Sequence, residues 1–115
     1  MTRFESLEIW QRSFRLSEDI FLVMRNSRDF GFKDQITRSA LSIPSNIAEG
    51  FERNSHKEFA NFLKYAKGSA GELRTQIYLG IRVGYIEKES GEKWVRESEE
   101  LSRMLFALIK STKNH

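Results

Sequence analysis

Apolar residues recur every three or four positions along most of this chain, the period of an amphipathic α-helix at about 100° per residue. Four such segments cover residues 7–26, 33–53, 56–83 and 91–111, and short polar or glycine-containing turns separate them. No segment alternates with the period of two that is typical of a β-strand. The pattern predicts an all-α fold, an up-down-up-down antiparallel four-helix bundle that forms one domain over residues 1–115.

The second segment reads QITRSALSIPSNIAEGFER over residues 35–53 and contains the only proline of the chain, Pro44. Its apolar stripe keeps the same phase on both sides of Pro44, so we expect one bent helix rather than two helices. Proline removes a backbone N–H and crowds the preceding turn, which costs about 3 kcal/mol in a helix interior. We therefore expect a kink at Pro44, in a helix that packing stabilises more than intrinsic propensity does.

A polar stripe runs along the opposite side of this helix. Its residues Ser42 and Asn46 are poor helix formers, because their side chains compete for backbone hydrogen bonds. We interpret the stripe as a polar network at a helix–helix or subunit contact, and a solvent-exposed face is the alternative. The predicted network consists of Arg38, Ser42, Asn46, Glu49, Arg53 and Glu72.

Two ion pairs are expected within this network. Glu49 and Arg53 are one helical turn apart and can pair on the same helix. The partner of Arg38 is expected to come from another helix, and Glu72 of the third segment is the candidate.

The connections between the segments carry turn and capping signals. Residues 27–32 predict a turn centred on Gly31 with positive φ, in which Phe30 and Phe32 contact the core. Ser55 followed by Glu58 three residues later has the form of a capping box at the start of the third helix. Gly84 stands where a glycine commonly ends a helix.

Two further features need an explanation beyond a single bundle core. The first helix carries two neighbouring apolar stripes, which predict either a thoroughly buried helix or a contact with another subunit. Those stripes are Leu7, Trp10, Phe14, Phe21 and Met24, and Ile9, Leu16, Ile20 and Val23.

The third helix contains Gly68 and Gly71, each of which costs about 1 kcal/mol relative to alanine. We expect another helix or a ligand to approach the backbone closely there.

Composition narrows the possible functions without selecting one. The chain has 115 residues, a net charge of +3 and no cysteine, so it has neither disulfides nor thiolate chemistry, which fits a reducing cytoplasm. Its beginning, MTRFESLEIW, lacks an apolar run of signal-peptide length. No stretch approaches the roughly 20 apolar residues that span a bilayer, so no membrane association is expected. The mildly basic balance is compatible with nucleic acid but does not require it.

Basic residues form a stripe on the third helix. Five of them lie within an arc of roughly 100° together with one tyrosine, at helical spacing. The stripe is Lys57, Lys64, Lys67, Arg74 and Arg82, with Tyr78. Such a stripe can follow a phosphate backbone while the tyrosine stacks on a base, and a simple solvent face is the alternative.

Catalysis has little support in the sequence. The chain has 2 histidines, and P-loop, G-x-G-x-x-G and G-x-S-x-G patterns are absent. We therefore expect no enzymatic activity and no cofactor or metal. A hydrolase or nuclease would require acidic metal ligands that converge in space, for which Glu49, Glu52 and Glu72 are the candidates.

The segments SALSIPSNIAEGFERNS and EFANFLKYAKGSAGELRTQI resemble a bacterial family of four-helix bundles named for the intervening sequences of 23S ribosomal RNA. The family shows the pattern R-x-A-x-S-I-x-x-N-I-A-E-G-x-x-R, then phenylalanines, then G-S-x-x-E. The matching positions are Arg38, Ala40, Ser42, Ile43, Asn46, Ile47, Ala48, Glu49, Gly50, Arg53, Phe59, Phe62, Gly68, Ser69 and Glu72. LEIW and GYIE also match, so the resemblance covers nearly the whole chain.

The resemblance implies a homopentameric ring without catalytic residues. The family is similar to the accessory protein of diversity-generating retroelements, a basic pentameric barrel that binds nucleic acid and a reverse transcriptase. Our leading hypothesis is therefore a non-catalytic homo-oligomer, a pentamer, that binds RNA or DNA through phosphate contacts. The alternative is a scaffold that binds a protein partner without nucleic acid.

Overall fold

The structure, a computed structural model, describes residues 3–113 and consists of helices joined by short connections. A single turn of 3-10 helix, Phe4–Ser6, precedes four α-helices, and residues 3–113 contain no β-strand. The four helices are α1 (Glu8–Met24), α2 (Phe30–Glu52), α3 (His56–Val83) and α4 (Lys88–Thr112). The predicted all-α four-helix bundle is confirmed.

The helices lie side by side along one long axis. The chain measures 46 × 20 × 20 Å, and the 28 residues of α3 account for about 42 Å of that length at the usual helical rise. α2 packs on α1 and α3, α3 packs on α4, and α1 and α4 share the fewest contacts of these neighbouring pairs. Connections of a few residues between helices that pack together are consistent with the predicted up-down-up-down order.

The core of the bundle consists of the apolar stripes that the sequence predicts. Each α-helix contributes a stripe with the spacing of three and four residues. The fully buried large side chains of this core are Ile20, Met24, Ile36, Ile43, Ile47, Leu63, Leu73, Ile77, Trp94, Leu101 and Leu105. Helical periodicity therefore identifies the buried faces of α2, α3 and α4, whereas on α1 only part of the predicted apolar face is buried.

α2 runs without interruption through Pro44, whose side chain is buried. This continuity confirms one helix rather than two. The missing backbone N–H lies where Ile43 and Ile47, both completely buried, hold the helix against its neighbours. Packing of this kind can offset the local cost of proline. The bend itself stays a prediction.

The connection before α2 differs from the predicted glycine turn. α2 begins at Phe30, three residues earlier than predicted, and the N–H of Lys33 donates to the carbonyl of Asp29 at 2.9 Å. Gly31 is therefore helical, and the residues with positive φ within 3–113 are Asn54 and Gly84. Of the two phenylalanines predicted to contact the core, Phe32 packs against it, whereas Phe30 is 69% exposed and does not. One interior glycine costs only about 1 kcal/mol, so the first turn of α2 can include it.

Both ends of α3 carry the capping chemistry that the sequence predicts. The Ser55 hydroxyl accepts a hydrogen bond from the N–H of Glu58 at 3.3 Å. At the other end Gly84 has φ of 84°, and the N–H groups of Gly84 and Tyr85 donate to the carbonyls of Ile81 and Gly80. This pair of hydrogen bonds is the Schellman arrangement, which needs a left-handed residue after the helix.

The expected close approach at Gly68 and Gly71 does not occur within the chain. A Cβ atom at either position would meet no atom of residues 3–113 within 4 Å, because both glycines lie outside the core stripe of α3. The close approach is instead at Gly50 of α2, where an added Cβ would lie 2.5 Å from the Cβ of Phe62. No other helix within residues 3–113 therefore approaches Gly68 or Gly71, and the approach of a ligand or of another subunit stays a prediction.

Candidate functional site

The polar stripe of α2 meets α3 through a pair of serines. The hydroxyl oxygens of Ser42 and Ser69 are 2.8 Å apart. Asn46 donates from Nδ2 to the Ser42 hydroxyl at 2.9 Å and to its carbonyl at 2.8 Å. Ser42 and Asn46 are both partly buried. Ser42 therefore hydrogen-bonds across the contact between α2 and α3, and Asn46 hydrogen-bonds to Ser42 within α2.

Arg38 does not pair with Glu72, and this prediction is wrong. Arg38 donates to Asp34 at 2.9 Å, one turn earlier on the same helix, and both side chains are mostly exposed. Asp34 lies one turn before Arg38 in the predicted helix as well as in α2, so an i,i+4 partner on the same helix was already within reach of Arg38. Glu72 instead accepts a hydrogen bond from the Ser39 hydroxyl at 3.2 Å, across the contact between α2 and α3.

Arg53 connects the end of α2 with the start of α3. It donates to Glu49 at 2.9 Å, which confirms the predicted pair, and to Glu58 at 3.3 Å. Its guanidinium carbon also lies 4.9 Å from the ring centre of Phe62. The hydrogen bond that Arg53 donates to Glu49, with the charge of Glu58, raises the pKa of Arg53. The six predicted network residues thus form separate clusters along one helix pair.

Most of the basic stripe on α3 faces solvent. Lys57, Lys64, Lys67 and Arg82 are exposed, and none of the ion pairs within residues 3–113 involves them. Arg74 differs, because it is partly buried and donates at 3.4 and 3.5 Å to two serine hydroxyls of α4, Ser98 and Ser102. We therefore assign Arg74 a contact between helices and leave the four exposed residues as the basic surface.

The net charge of the protein is concentrated on α3. This helix carries five basic residues and two acidic ones, Glu58 and Glu72, so its net charge of +3 equals that of the whole chain. Glu58 is already paired with Arg53, and Glu72 accepts a hydrogen bond from Ser39. An uncompensated charge of this kind on one helix attracts polyanions and accelerates their encounter with the protein.

Sequence reasoning missed two grooves that flank α4. One, of about 510 Å³, lies between α1 and α4. The other, of about 570 Å³, lies between α3 and α4 and contains Tyr78 and Arg82 of the basic stripe. Both grooves include basic residues of α4, and periodicity alone did not reveal them because it does not state which helices are neighbours.

The first helix exposes part of its wide apolar face. Phe14 and Phe21 are each 43% exposed, and Leu22 and Val23 are about half exposed. The Phe14 ring stacks on Trp10 with ring centres 5.0 Å apart. The prediction of a thoroughly buried helix is therefore wrong within the single chain. The contact with another subunit stays a prediction, and this exposed apolar face is the surface that would form it.

Residues 3–113 contain no group of three or more histidine, cysteine, aspartate or glutamate side chains that could hold a metal ion. The candidate ligands Glu49, Glu52 and Glu72 consequently do not converge. Over the same residues, no helix combines the length and apolarity that crossing a bilayer requires.

These features define a class, the small all-α bundles that carry a basic helix and an exposed apolar face. Comparison with known sequences then identifies the family. The sequence profile described as 23S rRNA-intervening sequence protein matches residues 5–107, and the chain belongs to this family. The resemblance noted in the sequence is thereby confirmed at the level of the family.

A solved structure has the same fold. It is the crystal structure of a protein with unknown function from the S23 ribosomal protein family of Bacteroides thetaiotaomicron. The two chains superpose with a TM-score of 0.83 at 29% sequence identity, and the match covers 89% of this chain and 98% of the other. A comparison with curated protein sequences found no match. The similarity to the accessory protein of diversity-generating retroelements stays a prediction.

Proposed function

We propose that this protein is a non-catalytic homo-oligomer, a pentamer, that binds RNA or DNA in the cytoplasm through phosphate contacts made by α3. The observation that carries this proposal is the concentration of the whole net charge on α3. Four of its five cations are exposed and lack a carboxylate partner among residues 3–113. Phosphate groups are the natural counter-charge for such a row, and they provide affinity without sequence readout.

Assembly would strengthen this surface. The resemblance to the family implies a pentameric ring, and a ring repeats each basic stripe in every subunit. The exposed Phe14 and Phe21 of α1 supply apolar area that a subunit contact would cover. The assembled ring would then present a larger positive surface than the weakly basic single chain does.

We expect the protein to bind a labelled single-stranded RNA and a duplex DNA in fluorescence anisotropy titrations at low salt. Replacing Lys64 and Lys67 together by glutamine should weaken binding to both by about tenfold. It should also reduce the slope of log affinity against log salt by about 1 to 2, since two phosphate contacts disappear. The matched control replaces Lys110 and Lys113 of the α4 terminus, which removes the same charge away from α3.

The proposal has two clear points of failure. If the wild-type protein binds neither nucleic acid at low salt, where phosphate-driven binding is strongest, nucleic-acid binding is refuted. If the double α3 variant binds as the wild type does, α3 is not the interface.

The assembly is tested separately, by light scattering of the purified protein. We expect a mass about five times the 13.5 kDa of the single chain, because five copies would close a ring. Replacing Phe14 and Phe21 by aspartate should lower the mass to that of the single chain, since charges would be buried at the contact. Phe106→Asp on α4, also at an exposed phenylalanine, is the control. A mass of 13.5 kDa for the wild type would rule out a stable ring.

The second candidate function is a scaffold that binds a protein partner without nucleic acid. The exposed apolar residues of α1 favour it, because a large apolar surface commonly marks a protein contact. A pull-down from the native host with nuclease treatment separates the two candidates. A partner that is retained after digestion supports the scaffold, whereas its loss supports nucleic acid as the link.

A further inference from the structure

The groove between α1 and α4 is lined mainly by charged side chains. α1 contributes Arg12 and Arg15, and α4 contributes Lys93 and Arg96. Two carboxylates, Asp19 and Glu97, line the same groove, together with the apolar side chains of Leu16 and Trp94. Whether this groove attracts anions depends on how far those two carboxylates neutralise the four cations.

Both carboxylates have hydrogen-bond partners, but only Glu97 is paired with a cation, so Asp19 keeps its negative charge in the groove. Asp19 accepts a hydrogen bond from the indole N–H of Trp94 at 2.7 Å. Glu97 accepts two hydrogen bonds from Arg12, at 2.8 and 3.1 Å. These hydrogen bonds and the negative charge of Glu97 raise the pKa of Arg12. The Arg12–Glu97 pair is bidentate and partly buried, which makes it one of the stronger kinds of ion pair.

Three cations of this groove remain without a carboxylate partner. Arg15, Lys93 and Arg96 are exposed, and no ion pair within residues 3–113 includes them. Long cationic side chains that line an open groove without a partner are typical of sites that contact phosphate groups. The groove is open, and its cations come from two helices instead of converging on one point.

The groove on the other side of α4 continues this surface. Arg96 lines both grooves, so they adjoin across α4. The second groove adds Arg82 and Lys88, contains a single carboxylate, Glu92, and includes the half-exposed ring of Tyr78. Basic residues therefore border a path from α3 past Arg96 of α4 to α1, with an aromatic side chain at its α3 end. α4 itself carries five basic and five acidic residues, so the positive charge is local to the grooves.

We propose that a single strand of nucleic acid crosses α4 along these two grooves. Its phosphates contact the partnerless cations, and one base stacks on Tyr78. Those cations are Arg15, Arg82, Lys88, Lys93 and Arg96. A stacking residue within a groove requires an unpaired base, which is the reason for a single strand rather than a duplex. The inference rests on the proposed nucleic-acid binding and extends it from the Tyr78 and Arg82 end of the α3 stripe across α4 to α1.

The test compares two pairs of residues on the same helix. Replacing Lys93 and Arg96 by glutamine removes two cations from the grooves. Replacing Lys110 and Arg103 by glutamine removes the same two residue types from α4 outside them. We expect the groove variant to bind a labelled single-stranded RNA about tenfold more weakly, with a salt slope lower by about 1.4. The affinity of the control variant should be within about twofold of that of the wild type, since the two residues it replaces do not contact the strand.

A second pair tests the stacking residue. Tyr78→Leu should weaken the binding of single-stranded RNA by about tenfold, which is in the lower half of the range for loss of one base–aromatic contact. The affinity for duplex DNA should stay unchanged, because its bases are not free to stack on the ring. Tyr65→Leu, at the other exposed tyrosine of α3, should leave both unchanged. Circular dichroism melting of every variant checks that the bundle is still folded.

The outcomes separate this inference from the proposed function. Absence of binding by the wild type overturns both. Binding that depends on Lys64 and Lys67 but is insensitive to Lys93 and Arg96 overturns the groove path alone. An equal loss in the groove variant and its α4 control also overturns it, because general electrostatics would then be sufficient. A selective loss in the groove variant supports it.

Discussion

Replacing Trp94 by alanine will lower the free energy of unfolding by about 3–5 kcal/mol, the usual range for loss of a buried tryptophan. Trp94 is 0% exposed and belongs to the central cluster of the core. Its indole N–H donates to Asp19 at 2.7 Å, so the substitution also leaves this carboxylate without the donor. This loss is a large fraction of the stability of a small domain.

Urea denaturation followed by far-UV circular dichroism will measure this loss at one fixed protein concentration, because assembly would make apparent stability depend on concentration. The matched control is Phe106→Ala, which shortens an aromatic side chain of the same helix that is 55% exposed. We expect the control to change stability by less than about 0.5 kcal/mol. A loss below about 1 kcal/mol for Trp94→Ala would contradict the packing of α4 described above.

Alanine at Gly50 will destabilise the protein by about 1–3 kcal/mol, the range for overpacking a tight contact. An added Cβ would lie 2.5 Å from the Cβ of Phe62 and 3.2 Å from Cδ1 of Phe59. The Cβ of Phe62 is bonded directly to the α3 backbone, so it cannot move aside by a change of rotamer. The contact between α2 and α3 must therefore open.

The same substitution at Gly68 should have the opposite effect. A Cβ there would meet no atom of residues 3–113 within 4 Å, and alanine is more favourable than glycine in a helix by about 0.5–1 kcal/mol. The two variants share one chemical change, so urea denaturation of both isolates the effect of the neighbouring helix. If Gly50→Ala were as stable as the wild type, the two helices would not be in this close contact.

Local patterns predicted the features that depend on residues close together in the chain. The Glu49–Arg53 pair, the Ser55 cap and the Gly84 terminus each involve residues at most five positions apart. The apolar stripes likewise follow from a period that the backbone geometry imposes. The wrong prediction of a turn at Gly31 was also made from local sequence, and it failed because one glycine is too weak a signal to stop a helix.

Contacts between helices were predicted less well. The sequence shows glycines at Gly50, Gly68 and Gly71, but does not say which of them packs closely against a neighbouring helix. Arg38 was assigned a distant partner, although Asp34 lies four positions before it within the predicted helix and is the carboxylate that it pairs with. In the same way, a serine at position 42 indicated a polar contact without indicating Ser69 as the partner.

By itself, the amino-acid sequence determined four amphipathic helices, their buried faces, the caps of α3 and the positive charge of that helix. Each of these follows from spacing along one chain segment. Only the tertiary structure decided that α2 contacts α3 at Gly50, and that basic residues of α1, α3 and α4 border two adjoining grooves. The physical reason is that a helical period defines the angular position of a side chain on its own helix. The neighbour it meets depends on how the helices are rotated and packed together.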